Sequence, residues 1–324
     1  MKVPFYIILS ITISLAISSR GIHVQGNRLL DANDKDFIFR GINIAHSWYA
    51  DKTEFSISEI SALGANSARI VLACGAQWTK TPISEVENII SWCEKEGLIC
   101  VLELHDFTGS SKSSDITEKA LNYWLEMKDL LNEHKDYIII NIANEWIGAI
   151  ALNKEKLWRE TYISAVKSMR ENGIENAIMI DASGYAQETG PITKNANLVL
   201  EADPDKNIIF SYHVYNILGK NDNTLISGFE GLKNTGVCWV VGEFGWKQSG
   251  IKVAYQTLMN YCQENGIGWM AWSWAGNSGG VEYLDLTSVE TFSKSDLTDW
   301  GKDIFYSDNG IKNTSKKAYN KELF

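Results

Sequence analysis

Two hydrophobic periods alternate along the chain. Short apolar runs without polar interruption are separated by longer stretches in which apolar residues recur every three or four positions. The run Tyr137–Asn141, YIIIN, is the clearest of the first kind and reads as a strand buried on both faces. Comparable runs lie at Phe37–Asn43, Ser67–Leu72, Leu98–Leu104, Ala177–Asp181, Asn207–Ser211, Cys238–Val241 and Ile267–Trp274. Helical spacing separates them. Pro82 opens a segment whose apolar face is Ile83, Val86, Ile89, Ile90 and Cys93, and Lys154–Glu171 aligns Trp158, Tyr162, Ala165, Val166 and Met169. Further helices are predicted over Thr53–Leu63, Ile116–Glu133, Asn223–Lys233, Lys252–Glu264 and Asp299–Phe305, and a hairpin over Gly21–Leu30 with its turn at Gly26-Asn27. Gly97 and Gly266 fall between a helix and the next strand, where a left-handed residue closes the helix.

Eight strands alternating with helices predict an α/β fold, a (β/α)8 TIM barrel with a short N-terminal hairpin. A doubly wound sheet would put a glycine-rich phosphate turn after the first strand, and none follows Phe37–Asn43. Residues 1–18 read as a secretory signal peptide: Lys2 supplies the positive end, Phe5–Ile17 the apolar region, and Ala16-Ile17-Ser18 small residues before a cut. Residues 19–324 would then form a single domain, expected to be secreted to the extracellular space.

In a TIM barrel, function sits where strands end. The strand ends here carry Arg69, His105, Asn144, Glu145, His213, Tyr215, Glu243 and Trp272. Each has a structural alternative. Arg69 could be a core ion-pair partner and the two glutamates its salt-bridge partners; His105 and His213 could be hydrogen-bonded core histidines; Trp272 could be packing. Together on one rim, they fit better as a site. A pair of carboxyls on rigid strand ends suits glycoside hydrolysis, one protonating the departing oxygen and the other attacking or activating water. The rings of Trp48, Trp78, Trp146, Trp246, Trp272 and Tyr283 offer apolar faces on which sugars stack.

Charge narrows the partners. The net charge is −10 without a basic block, which argues against nucleic acid or an anionic membrane as partner. Five cysteines, an odd count with no CxxC pair, read as buried thiols. Asn313-Thr314-Ser315 is a glycosylation sequon. No metal or other cofactor and a monomeric chain are expected.

The stretches RGINIAHSWY, GANSARIVL, QWTK, VLELHD, INIANEW, ADPDKNIIFSYHVY, VVGEFG and GWMAWSWAGNSGGVEYLDL resemble glycoside hydrolase family 5, in the clan of retaining (β/α)8 glycosidases. More narrowly they are similar to the bacterial-type endo-β-1,4-mannanases, over nearly the whole mature chain. The resemblance implies a polysaccharide substrate, β-mannan, with Glu145 as acid/base and Glu243 as nucleophile. Arg69, His105, Asn144, His213, Tyr215 and Trp272 would be the supporting shell, Trp272 forming the floor under the attacked sugar. Trp246 departs from the pattern, since many relatives carry His there; so does Ala45, where Pro is frequent.

The physical expectation for the pair follows. The apolar strand before Glu145 should raise its pKa, while Arg69 and Tyr215 should favour an ionised Glu243. A retaining pair should lie about 5–5.5 Å apart. Three other readings compete. A metal-dependent barrel hydrolase would use an HxH pair on the first strand, and this chain has none there. A non-catalytic sugar-binding barrel would not need both glutamates. A cellulase of the same family would differ only in substrate.

Overall fold

The computed structural model describes residues 20–148 and 153–319. The signal-peptide segment lies outside the described residues. Eight strands close a barrel: β1 (Arg40–Ile44), β2 (Ser67–Leu72), β3 (Ile99–Leu104), β4 (Ile138–Asn141), β5 (Ala177–Asp181), β6 (Ile208–Val214), β7 (Trp239–Phe244) and β8 (Trp269–Ala271). Neighbours pair in parallel all the way round, with β8 returning to β1. Helices cover the outside, as the alternating periods predict. Among the described residues no helix is long and apolar enough to cross a membrane.

Strand alternation sorts the side chains into two layers. Residues such as Ile70, Leu102, Ile140, Ile178, Phe210 and Val241 face outward and pack under the helices. The intervening residues Ile99, Val101, Ile139, Met179, Ile209, Val240 and Met270 fill the barrel interior. The hairpin His23–Gln25/Arg28–Leu30 and the segment after it close the bottom with Ile22, Leu29, Phe37 and Phe39. Burial of each such side chain is worth about 1.5–3 kcal/mol.

The helix Ile83–Glu96 starts after Pro82 and ends at Gly97, whose φ of 65° closes it in the left-handed region. The helix Lys154–Glu171 buries Trp158, Tyr162, Ala165, Val166 and Met169 on one face. Its Trp158 Nε1 donates to the carbonyl of Asp181 at 2.8 Å, so the helix also holds the end of β5.

Several boundaries differ from expectation. The first strand pairs only from Arg40, because Phe37 and Phe39 turn beneath the barrel and pack edge to face at 5.2 Å. The expected helix Ile116–Glu133 is a π-helical turn, Asp115–Ala120, then Leu121–Glu126 and Lys128–Glu133, broken at Met127 (φ −115°). A helix over Thr189–Ala202 was not foreseen; Gly190, Pro191, two threonines and two asparagines mask its buried face of Pro191, Ile192, Ala196 and Val199. The helix expected from Lys252 starts at Tyr255, since Lys247–Gln248 and Ile251–Lys252 form a small antiparallel ribbon instead. The last strand is confined to Trp269–Ala271, and β6 extends to Val214, taking His213 into the sheet. All five cysteines are free thiols, four of them buried.

Candidate active site

The same inward rows that are apolar at the bottom of the barrel turn polar near its top. On β3, Ile99 and Val101 are followed by Glu103; on β5, Ala177 and Met179 by Asp181; on β6, Ile209 by Ser211 and His213. Asn43 on β1, Arg69 on β2, Asn141 at the end of β4 and Glu243 on β7 complete the layer, and all are buried.

Arg69 is its hub. Nη1 donates to Glu243 Oε1 at 2.7 Å and to Asn43 Oδ1 at 2.9 Å. Nη2 donates to Asn144 Oδ1 at 2.7 Å, and both Nη2 and Nε reach Asn141 Oδ1. Glu103 and Asp181 stand farther off, at 3.8 and 3.6 Å. A planar guanidinium fits this role because its donors fan out in fixed directions.

Glu243 has both oxygens occupied: Arg69 on Oε1, and the Tyr215 hydroxyl donating to Oε2 at 3.0 Å. The expected partners are therefore both present. Their effect is smaller than expected: burial raises the Glu243 carboxyl to about 7 although Arg69 pulls it down. Desolvation outweighs the cation because the guanidinium is itself shared among several carboxylates.

Glu145 lies beyond the strand end, four positions past Asn141, in a turn that gives it a φ of 44°. A residue other than glycine holds that conformation only under constraint. Here its N–H donates to Asp181 Oδ2 at 3.0 Å and its carbonyl accepts from the Gly109 N–H at 2.9 Å. Its Oε1 lies 2.8 Å from His213 Nδ1. The side chain is 13% exposed and opens to the cleft. Burial, then Glu243, then Asp181 raise its carboxyl well above the usual range, as expected.

One oxygen of Glu145, His213 Nδ1 and one oxygen of Glu243 lie within 4.8 Å of one another. This trio has donor types a cation would accept. Glu243 is already bound by Arg69 and Tyr215, so it reads as a hydrogen-bonded carboxyl pair rather than as a metal centre. Burial and nearby Arg69 hold the His213 imidazole neutral.

Asn144 is turned by its neighbours. Its Nδ2 donates to Thr108 Oγ1 at 2.9 Å and faces His105 Nε2 at 3.4 Å, while His105 Nδ1 lies 2.9 Å from Glu103 Oε1. His105 stacks on Trp272, with centroids 5.7 Å apart, and meets Trp48 and Trp78 at 5.3 and 5.6 Å. Trp272 Nε1 donates to Asn277 Oδ1 at 2.7 Å. Trp246 belongs to a separate group, against Tyr283 at 5.8 Å and beneath the Lys247 ammonium. Trp146 does not line the cleft: it is buried, packs on Tyr162, and donates to the Lys112 carbonyl.

Asn43, Glu103, Asn141 and Asp181 were not singled out from the sequence. A signal existed for two of them. Glu103 and Asp181 each place a carboxylate at or near the end of an apolar strand, the same pattern that marks Glu145 and Glu243.

A family model described as cellulase, glycosyl hydrolase family 5, matches residues 30–278. The chain is 40% identical over 298 residues to a mannan endo-1,4-beta-mannosidase of Salipaludibacillus agaradhaerens, covering 92% of this chain and 95% of that relative. A mannan endo-1,4-beta-mannosidase of Streptomyces lividans is 39% identical over 303 residues, covering 92% and 77% respectively. Among solved structures, the mannohexaose complex of Thermomonospora fusca beta-mannanase superposes with a TM-score of 0.85 at 37% identity, covering 92% of this chain and 98% of that one.

Proposed function

The chain belongs to glycosyl hydrolase family 5, and from that premise we propose a secreted, monomeric endo-β-1,4-mannanase that cuts internal bonds of mannan, galactomannan and glucomannan with retention of configuration. The substrate class is supported by relatives named for mannan hydrolysis and by the similar fold of a β-mannanase solved with mannohexaose. The observation that carries the reaction class is the carboxyl pair. One oxygen of Glu145 and one of Glu243 lie within 4.8 Å of each other, which supports the close carboxyl pair of a retaining enzyme; an inverting one sets its carboxyl groups about 6.5–9.5 Å apart to admit a water.

In the first step ionised Glu243 attacks the anomeric carbon while protonated Glu145 gives its proton to the departing oxygen. In the second step Glu145 takes a proton from water, which displaces Glu243. Arg69 and Tyr215 stabilise the Glu243 carboxylate before attack and again when it leaves. Trp272, stacked on His105, gives the attacked sugar an apolar floor; Trp48 and Trp78, which pack on the same imidazole, and Trp246 with Tyr283 extend the aromatic lining. Secretion is supported by the Lys2 charge, the apolar Phe5–Ile17 run and the small residues at Ala16 and Ser18.

Product profiles on galactomannan, glucomannan, cellulose and xylan test the substrate. Short manno-oligosaccharides should appear early from the first two; cleavage of cellulose alone, or mannose as sole product, rejects the reading. Proton NMR of the first-formed product should show the β anomer.

A further inference from the structure

Taking Glu145 as the acid/base, we propose that Asp181 is its positioning residue: it fixes the Glu145 backbone in the left-handed turn and sets a negative charge behind the Glu145–His213 pair. Asp181 ends β5 and is fully enclosed. A carboxylate there is costly unless its partners use it. Its Oδ2 accepts the Glu145 N–H at 3.0 Å, and its Oδ1 accepts Asn141 Nδ2 at 3.1 Å. Asn141 in turn receives two donors of Arg69, the residue that grips Glu243. One buried side chain therefore ties the backbone of the acid/base to the frame that holds the nucleophile. The spacing of the two carboxyls depends on that tie.

The second link runs through an imidazole. His213 Nδ1 lies 2.8 Å from Glu145 Oε1, and Nε2 of the same ring lies 3.4 Å from Asp181 Oδ2. The charged and titratable groups around Glu145 are Glu243 on β7, His213 and Tyr215 at the end of β6, Arg69 on β2, Glu103 and His105 at the end of β3, and Asp181. Burial, then Glu243 and Asp181, favour the protonated Glu145 carboxyl, and Arg69 opposes them. Asp181 takes two N–H donors and faces Arg69, which preserves its charge although burial raises its own carboxyl. Of the two negative groups that act on Glu145 without entering the reaction, Asp181 and Glu103, Asp181 has the larger effect and alone holds the Glu145 N–H.

The test compares kcat/KM of wild type, Asp181→Ala and Asp181→Asn on mannohexaose and on a dinitrophenyl β-mannobioside, whose leaving group needs no proton. Asp181→Ala should lose about a hundredfold on mannohexaose and less than about tenfold on the activated substrate. Asp181→Asn keeps an acceptor for the Glu145 N–H and should recover most of the loss. Without the negative charge, however, Glu145 releases its proton more readily, and the basic limb of the mannohexaose profile should move about one pH unit lower. Equal losses on both substrates, or an Asp181→Asn basic limb coincident with wild type, would overturn the proposal. If near-ultraviolet circular dichroism shows that Asp181→Ala does not fold, the Asp181→Asn limb decides alone. A wild type inactive on both substrates defeats the functional reading itself; an active wild type with an unmoved limb defeats only the role of Asp181.

Discussion

The bottom and the top of the barrel interior share the same strands, and within one or two pleats their chemistry inverts. Below, Val101, Ile139, Met179, Ile209, Val240 and Met270 pack on one another and on Phe37 and Phe39. Above, Glu103, Asn141, Asp181, His213 and Glu243 gather round Arg69. The lower layer removes apolar surface from water and stabilises the fold. The upper layer removes charge from water, with Arg69 as the cation among Glu103, Asp181 and Glu243. Such a cluster is compensated within itself rather than stabilising. Burial in that cluster shifts the Glu145 and Glu243 carboxyls upward, and contacts to Asp181 and Gly109 hold Glu145 in a left-handed turn.

Substitutions should separate the layers. The largest effect is expected at Glu243→Ala, which removes the proposed nucleophile; turnover of every substrate should fall on the order of 10⁴-fold or more, measured as initial rates on mannan and on an activated glycoside. Glu145→Ala should cost about 10²–10⁴-fold on mannan and spare kcat/KM of the activated glycoside, which tests whether it acts as a proton donor. Met270→Ala in the lower layer should do the reverse. Denaturant unfolding should show a loss of about 2–5 kcal/mol with kcat per folded molecule unchanged; a normal stability with a depressed kcat would erase the distinction between the layers.

A smaller effect concerns pH. The folded Glu243 carboxyl sits at about 7 against an ordinary 4.5, so the fold favours its neutral form. That contribution is fully present below the unfolded value and is lost as pH rises through the folded one. Unfolding free energy should therefore decline between these values, by about 3 kcal/mol, and Glu243→Gln should flatten the decline and be more stable than wild type at pH 8. Activity should run the opposite way, rising through the same window as Glu243 ionises. Coincident stability profiles for the two proteins would remove Glu243 as the source. The smallest expected effect is that of a reductant: with five free thiols, the melting temperature should stay put, and a drop of many degrees would reveal a disulfide.

Much of this was legible residue by residue. Ser67–Leu72, Ala177–Asp181 and Lys154–Glu171 fall where their periods put them, because period and propensity are local properties. The helix Thr189–Ala202 was not legible, since its intrinsic preferences oppose the state that packing imposes. Trp146 shows a similar limit: next to Glu145 in the chain, it points into the core beside Tyr162, and nothing in its local spacing distinguishes it from Trp272.

The sequence by itself determined the alternation of strands and helices, the glycine stops, and the strands on or just after which Arg69, Glu145 and Glu243 fall. Those are consequences of hydrophobic period and turn chemistry, which act between residues close in the chain. Only the tertiary structure decided that Arg69 is shared among several partners, that burial outweighs it at Glu243, and that Asp181 grips the Glu145 backbone. Those outcomes depend on distances across the barrel, between residues as far as 174 positions apart. Coulomb interaction and desolvation are set by such distances and by enclosure, which closure of the barrel fixes and no local pattern encodes.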